Sequence, residues 1–181
     1  MNNMPPMRKL LSIILLCLAL PLLAASPYRD IRWEELIPKD WDPAKEFRSL
    51  DLANMRDSDP RAIAALQRMK ELWEQAPTEP SMAGRKVRLP GFVIPLDRKG
   101  EEVIEFLLVP YFGACIHTPP PPANQIIHAV SAKPRGKMRS MEAFWVSGTL
   151  ESRRAETDWG AAGYRLRVER IERYEIPEKT P

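Results

Sequence analysis

The sequence predicts a mainly β protein with one N-terminal helix, built as a small OB-like five-stranded barrel. Three observations support this fold class. Proline supplies 19 of the 181 residues, a share that disfavours a mainly helical protein. A single segment has apolar residues at helical spacing, and five short apolar segments separated by turn residues follow it. An irregular β-sandwich is the alternative arrangement of the same strands.

Residues 1–25 have the pattern of a secretory signal peptide. Arg8 and Lys9 precede an apolar segment at 10–23, and small residues follow at 24–26. The apolar segment has 14 residues, fewer than the roughly 20 that a membrane-spanning helix needs. The sequence therefore predicts a periplasmic protein exported through a cleaved leader, with a retained signal anchor as the alternative.

Residues 26–82 are interpreted as an N-terminal arm and a helix. The arm, 26–57, mixes tryptophan and proline without a clean period, which is typical of a segment that wraps a domain. Asp59 or Ser58 can cap the helix, and Pro60 suits its first turn. The helix has an apolar stripe that we expect to pack on the following domain. Its members are Ile63, Leu66, Met69, Leu72 and Trp73.

Residues 83–176 are predicted to form the β-barrel domain, followed by a short tail at 177–181. The five predicted strands cover residues 87–96, 103–109, 126–130, 143–152 and 164–174. The Pro90-Gly91 pair predicts a bulge or a strong bend in the first strand. Gly148 would let the fourth strand turn a tight barrel corner. These features favour the barrel over the sandwich.

Charge and cysteine content narrow the function. The formal net charge is +3, and it falls to +1 without the leader, which has two basic residues and no acidic ones. No basic stripe is present, so a nucleic-acid partner is not expected. Loss of the leader also removes Cys17 and leaves Cys115 as the single cysteine. A lone thiol in a compartment where disulfides form predicts burial, an intermolecular partner or a metal.

Cys115, His117 and His128 are the only cysteine and histidines after the leader, and they fall within 14 residues. An extended backbone points Cys115 and His117 to one face, and the stiff polyproline segment holds His128 at a fixed separation. A thiolate and two imidazoles suit zinc or copper, with water or a carboxylate such as Asp97 or Glu105 completing the shell. These residues predict a metal site, with zinc as the first candidate and copper as the second.

Two alternatives concern the same cysteine. An inert, buried thiol explains a lone cysteine equally well. In a thiol-dependent enzyme, Cys115 would attack the substrate and His117 or His128 would activate it. Asn124 or Gln125 would then orient the histidine or supply an oxyanion donor. The sequence around Cys115 lacks the surroundings of known cysteine hydrolases, so a role without turnover is favoured.

A further hypothesis treats the loop between the second and third predicted strands as a docking surface for an envelope protein. Its aromatic residues would supply apolar area and its prolines a stiff, extended backbone. The residues proposed to contact a partner are Tyr111, Phe112, Pro119, Pro120, Pro121, Pro122, Asn124 and Gln125. The alternative is that the prolines only stiffen a long connection.

The loop also carries a family resemblance. Residues 113–125 read Gly-Ala-Cys-Ile-His-Thr-Pro-Pro-Pro-Pro-Ala-Asn-Gln, and related segments lie upstream at 89–96 and 105–110. Over about residues 80–175 the chain resembles a bacterial family of exported proteins of unknown function. The resemblance implies a periplasmic or lipoprotein location and a link to ABC transporters that supply zinc. It implies no catalytic residue.

The function predicted from these residues is that of a periplasmic accessory protein that binds a transition metal, with zinc favoured. Cys115, His117 and His128 would be its ligands. An inner-membrane ABC-type transporter or another envelope protein would be its partner. The protein would present or scavenge the metal and catalyse no reaction of its own.

Overall fold

A computed structural model describes residues 26–114 and 120–175 of the chain. These residues contain one α-helix, α1 (Pro60–Glu74), and eight strands. The strands are β1 (Arg29–Asp30), β2 (Lys86–Lys99), β3 (Glu102–Val109), β4 (Ile127–Ser131), β5 (Ala143–Glu151), β6 (Ala155–Thr157), β7 (Gly160–Ala162) and β8 (Tyr164–Arg173). Short 3-10 turns lie at Trp33–Leu36, Pro43–Phe47, Leu52–Asn54, Pro80–Met82 and Ala123–Gln125. In this part of the chain, no helix has the length and apolar character needed to span a bilayer.

Five strands close a barrel. Their order is β2-β3-β4-β8-β5, and β5 pairs back with β2. Every pair in this ring is antiparallel except β4 and β8, which run parallel. Because β8 lies between β4 and β5, the ring is not a simple meander but an OB-like Greek key. The predicted barrel is therefore confirmed, and its closure rules out the sandwich alternative.

The observed barrel strands match the predicted ones to within three residues at each end. Of the two alternatives predicted at Pro90-Gly91, the bulge is wrong, because pairing between β2 and β5 runs unbroken through both residues, and the strong bend stays a prediction. The register shifts of β2 lie instead between Pro95 and Arg98. Gly91 is needed for close packing, since a Cβ there would lie 2.8 Å from Cγ of Leu108.

Alternate residues of the strands fill the barrel. Phe106 of β3, Ile127 of β4 and Leu166 of β8 are completely buried in one apolar cluster. The turn of β5 depends on Gly148, as predicted. A Cβ there would lie 2.1 Å from the carbonyl oxygen of Arg167, and the pairing of β5 with β8 shifts register at this residue. Glycine therefore permits the close approach that closes the barrel.

The start of the N-terminal arm is part of the barrel core. β1 pairs in parallel with β2, and the indole Nε1 of Trp33 donates a hydrogen bond of 2.7 Å to the carbonyl oxygen of Pro90. Leu36 is completely buried in the main apolar cluster. These contacts cover the edge of β2 at a point where β3 no longer pairs with it. The arm thus protects a strand edge that would otherwise be exposed.

The Tyr164 hydroxyl links three segments of the chain by hydrogen bonds inside the core. Its hydroxyl donates to the carbonyl oxygen of Leu36 at 2.8 Å and accepts from the backbone N–H of Glu79 at 2.6 Å. The side chain is completely buried, and burial raises the pKa of Tyr164 to about 12. The hydroxyl therefore joins the arm, the segment after α1 and the last strand.

Helix α1 begins at the predicted residue, but its apolar stripe is less buried than predicted. The Asp59 side chain caps it by accepting from the backbone N–H of Arg61, and Pro60 occupies the first turn. The expectation that its whole apolar stripe packs on the next domain is wrong, because Ile63 and Leu66 are 56% and 55% exposed. The helix lies mainly against the turn at Pro43–Phe47, so only part of the stripe has a surface to pack on.

A second apolar cluster covers the outer face of β2 and β3. Ile94 and Leu107 point outward from these strands and pack against Ala114, Ile126 and Ala162. Ala162 belongs to the β6–β7 hairpin, which lies in the connection from β5 to β8. This cluster holds the hairpin over the barrel, next to Glu105 and His128.

Candidate functional site

His128 and Glu105 lie side by side on the outer face of the barrel. In the antiparallel pairing of β3 with β4, Leu107 is opposite His128 and Glu105 is opposite Val130. Since alternate residues of a strand share a face, these four side chains point the same way. Phe106 points to the other face and is completely buried in the core. His128 and Glu105 are therefore diagonal neighbours outside the barrel.

The two side chains are in direct contact. Nε2 of His128 donates to Oε1 of Glu105. The side chains are 14% and 34% exposed, so the pair is partly shielded from water. Because an ionised carboxylate can only accept, the contact places the ring proton on Nε2 and leaves the lone pair of a neutral ring on Nδ1. Such a histidine is held in one orientation and can accept a proton or a metal ion.

The pair lines a cleft of about 340 Å³. Its walls come from the end of β2 and from the β6–β7 hairpin, with Pro95, Leu96, Glu156, Thr157, Asp158 and Trp159 as the other lining residues. Trp159 is 39% exposed and offers an aromatic surface at the hairpin. Among the described residues, three carboxyl groups and one imidazole line the cleft, and no lysine or arginine does. Glu156 is paired with Arg154, so Glu105 and Asp158 are the carboxylates that favour a positively charged ligand.

The cleft occupies the ligand-binding position of the fold. β3 and β4 are the second and third strands of the barrel, and the β6–β7 hairpin lies between its fourth and fifth strands. OB-fold proteins bind ligands on the face of their second and third strands, beside the loop that joins the fourth to the fifth. His128 and Glu105 therefore lie where this architecture usually forms a site.

Cys115, His117 and Pro119 lie outside the described residues, so the predicted convergence of the thiol with two imidazoles stays a prediction. The residues that border this segment are Ala114 and Pro120. Ala114 is buried in the cluster that contains Ala162. Pro120 lies beside Gly160, where a Cβ would be 3.3 Å from the Cβ of Pro120. Pro120 thus lies beside the hairpin that lines the cleft, and Ala114 shares an apolar cluster with it.

Asp97 was the other carboxylate predicted as a possible ligand. It is exposed, and its Oδ1 accepts from the backbone N–H of Arg98 at 2.7 Å. It does not line the cleft around His128. Within 26–114 and 120–175, no three His, Cys, Asp or Glu side chains are grouped so that they could hold a metal ion. His128 and Glu105 alone would not suffice.

The predicted docking residues have different environments. Tyr111 is 46% exposed and the neighbouring Phe112 is 71% exposed, with its ring in edge-to-face contact with Phe92. Pro120 is exposed, whereas Pro121 is buried and Pro122 is half-buried. Among the described residues of this loop, the accessible apolar surface is therefore concentrated at Tyr111 and Phe112.

The side chains of Asn124 and Gln125 donate hydrogen bonds to backbone carbonyls elsewhere in the same chain. Asn124 is completely buried, and its Nδ2 donates to the carbonyl oxygen of Pro77 at 2.9 Å. Gln125 donates through Nε2 to the carbonyl oxygen of Trp33, also at 2.9 Å. These amides tie the loop to the arm and to the segment after α1. The group that contacts His128 is the carboxylate of Glu105, and neither amide does so.

Sequence reasoning did not find the hairpin side of the cleft. Glu156, Asp158 and Trp159 lie about 30 residues from His128 in the chain, and no local motif marks them. They reach the cleft because the hairpin folds back over the outer face. The alternation of apolar and polar residues in β3 could have assigned Glu105 to the outer face. Its contact with His128 could be identified only from the register between β3 and β4.

The chain forms a small OB-like barrel with a histidine–carboxylate pair on the outer face of its second and third barrel strands. The chain belongs to the family described as "Protein of unknown function (DUF3299)", whose profile matches residues 33–173. It is also similar to the crystal structure of a DUF3299 family protein from Pseudomonas aeruginosa PAO1. Sequence identity is 32%, the TM-score is 0.62, and the match covers 82% of this chain and 97% of the other.

Two solved structures of asparaginyl-tRNA synthetase from Pyrococcus horikoshii, one complexed with asparaginyl-adenylate, match part of the chain. Identities are 20% and 22%, and both TM-scores are 0.34. Each match covers 57% of this chain but only 22% and 23% of the synthetases. The search of curated proteins found no match.

Proposed function

We propose that the protein is an exported accessory protein that binds a transition metal, with zinc as the first candidate, on the outer face of its barrel. Cys115, His117 and His128 are the proposed ligands, and Glu105 orients His128. The periplasm is the proposed location, based on the leader pattern of residues 1–25. An ABC-type transporter of the inner membrane is the proposed partner, based on the resemblance given above.

The contact between His128 and Glu105 is the observation that carries this proposal. Histidines that bind metals usually donate their second ring N–H to a carboxylate, which fixes the ring and makes the other nitrogen more basic. Here Glu105 accepts from Nε2, so Nδ1 is the atom available to the metal. The acidic lining of the cleft adds attraction for a divalent cation.

Chain connectivity supports a shared site. Pro120 lies beside Gly160, and Trp159 is one of the residues that line the cleft. His117 is three residues before Pro120, and three residues of chain span at most about 10 Å. Cys115 follows Ala114, which belongs to the same apolar cluster as Ala162 of this hairpin. This connectivity supports the proposal that the thiol and the second imidazole act at the cleft.

Three protein ligands would leave one coordination position open, as expected of a site that exchanges its metal. A zinc ion bound there would act as cargo for transfer, so the chain needs no catalytic base. The aromatic surface at Tyr111 and Phe112 is the proposed contact for the transporter. The metal should be released at acid pH, because thiolate and neutral imidazole are the forms that bind it.

Elemental analysis after equilibrium dialysis against zinc tests the proposal. The wild-type protein should retain about one zinc ion, and the Cys115→Ser/His117→Ala and His128→Ala variants should lose it. Glu105→Gln should weaken zinc binding by about 10- to 100-fold, as is usual when the carboxylate partner of a ligand is changed. Glu102→Gln is the matched control on the same strand. Equal zinc content in the wild type and the double variant would refute the proposal.

The same contact favours a second candidate, a thiol-dependent enzyme. A histidine oriented by a carboxylate is the arrangement that activates cysteine nucleophiles. In this case Cys115 of the metal-free protein would react rapidly with iodoacetamide near neutral pH. His128→Ala and Glu105→Gln would slow alkylation, and Glu102→Gln would not. Slow alkylation of the metal-free wild type that becomes fast on unfolding would contradict this candidate.

A further inference from the structure

A second cleft, of about 410 Å³, lies on a different face of the barrel. Four of its residues form a row across neighbouring strands. Asp30 of β1 is in register with Arg88 of β2, Arg88 with Ser147 of β5, and Ser147 with Arg170 of β8. Ser147 is thus flanked by an arginine on each side. None of these residues belongs to the cleft around His128.

Ser147 is the unusual member of the row. It is only 1% exposed, and its Oγ has no hydrogen-bond partner within the described part of the chain. Burying a hydroxyl without a partner is unfavourable, and most buried polar groups in proteins are paired. Ser147 borders the cleft but its Oγ is itself buried, so a ligand completes its hydrogen bonding only when the flanking Arg88 and Arg170 side chains move apart.

The charges of the row decide which kind of ligand fits. Arg88 contacts Asp30 at 3.2 Å and Glu172 at 3.8 Å, and Arg170 contacts Glu172 at 2.8 Å. Two cations and two anions therefore balance within the cleft. An ionic ligand of either sign would leave one charge without compensation. A neutral ligand with many hydroxyl groups can hydrogen-bond to all four groups and leaves the balance intact.

One aromatic side chain lines the cleft. Tyr28 belongs to its wall, whereas the face of Trp145 lies outside the lining and is covered by the Arg88 guanidinium, 4.0 Å from the ring centroid. A tyrosine ring beside paired polar groups suits a pyranose ring, which has apolar C–H surfaces and a rim of hydroxyls. The volume is within the usual range of small-molecule sites.

We propose that this cleft is a subsite for a neutral saccharide, with the Ser147 hydroxyl bonding to a ring hydroxyl between Arg88 and Arg170. The site uses the face of β2, β5 and β8, so the proposal is independent of metal binding at His128.

Saturation-transfer NMR and calorimetric titration of the purified protein test the proposal. The neutral probes are cellobiose and N,N′-diacetylchitobiose, and the charged comparators are glucuronic acid and glucosamine. At least one neutral probe should bind better than both comparators. Ser147→Ala should weaken its binding by about three- to tenfold, the effect of losing one hydrogen bond.

Two further variants make the test specific. Arg170→Gln should weaken binding of the neutral probe. Arg167→Gln, on the same strand but paired with Glu151 outside the cleft, should leave it unchanged. Ser147→Ala should unfold at the same temperature as the wild type or higher, because it removes an unpaired hydroxyl. The proposal is overturned if neither neutral probe binds, if Ser147→Ala and Arg170→Gln bind like the wild type, or if a charged comparator binds best.

Discussion

Replacement of Tyr164 by phenylalanine tests the packing of the N-terminal arm on the barrel. The substitution removes one oxygen atom and keeps the ring that fills the core. It leaves the carbonyl of Leu36 and the N–H of Glu79 without their partner. Leu36 is completely buried, so water cannot easily replace the lost bond. Each lost hydrogen bond costs about 1 kcal/mol, and a buried group left unpaired costs up to about 3 kcal/mol.

We therefore expect Tyr164→Phe to lower the free energy of unfolding by about 2–4 kcal/mol, a large part of the stability of a typical domain. Urea titration followed by tryptophan fluorescence gives this value from the midpoint, provided that the m value is unchanged. In a domain of this size the melting temperature should fall by roughly 5–15 °C.

Tyr174→Phe is the matched control. The ring of Tyr174 packs against Trp145 on the outside of the barrel, and its hydroxyl makes no hydrogen bond to the described residues. This variant should stay within about 0.5 kcal/mol of the wild type. If the two variants unfold at the same urea concentration, the inferred role of the Tyr164 hydroxyl is wrong.

Three more predictions concern the fold. Because burial raises the pKa of Tyr164 to about 12, its contribution to stability should be complete below pH 10 and lost as the pH rises toward 12. Urea titrations across this range should show a smaller loss in Tyr164→Phe; equal losses would contradict this assignment. Gly148→Ala should cost about 3 kcal/mol or more, since the new Cβ would lie 2.1 Å from a backbone oxygen, and a soluble variant of wild-type melting temperature would disprove that contact. Leu66→Ser should change stability by less than about 0.5 kcal/mol because the side chain is 55% exposed; a loss of 2 kcal/mol would mean that it is buried.

The sequence predicted the barrel well because its strands carry local signals. Alternating or continuous apolar segments marked all five strands, and Gly148 marked the tight turn of β5. The bulge was misplaced because the Pro90-Gly91 pair suggests interrupted strand pairing at that position. Glycine is instead required there by a contact with another strand, since a side chain at Gly91 would collide with Leu108. Such a contact depends on register, which a single sequence does not reveal.

Helix α1 shows that burial is harder to predict from a sequence than secondary structure. Apolar residues at helical spacing predicted both the helix and a buried face, but spacing does not tell how much surface is available to cover that face. The turn at Pro43–Phe47 is too short to cover the whole stripe, so Ile63 and Leu66 remain exposed. Helix formation followed from local residues, whereas burial depended on the distant arm.

The sequence singled out His128 by the clustering of cysteine and histidine, and the structure places it on the outer face of β4 beside Glu105. Glu105 was considered only for its nearness in sequence. The hairpin residues Glu156, Asp158 and Trp159 were missed, because they are distant from His128 in the chain and reach the cleft only through the fold. Cys115 and His117 remain predictions that the proposed zinc measurements test.

The bonds of Tyr164 also bear on how the chain folds. Its hydroxyl reaches residues that are 128 and 85 positions earlier in the chain. β8 likewise pairs with β4 and β5 and completes the ring. Native contacts of such long sequence separation slow folding, because much of the chain must be ordered before they form. A nascent chain that ends before β8 therefore lacks the strand that closes the barrel and the Tyr164 bond to its N-terminal arm. Formation of the closed barrel must wait for synthesis of the last strand.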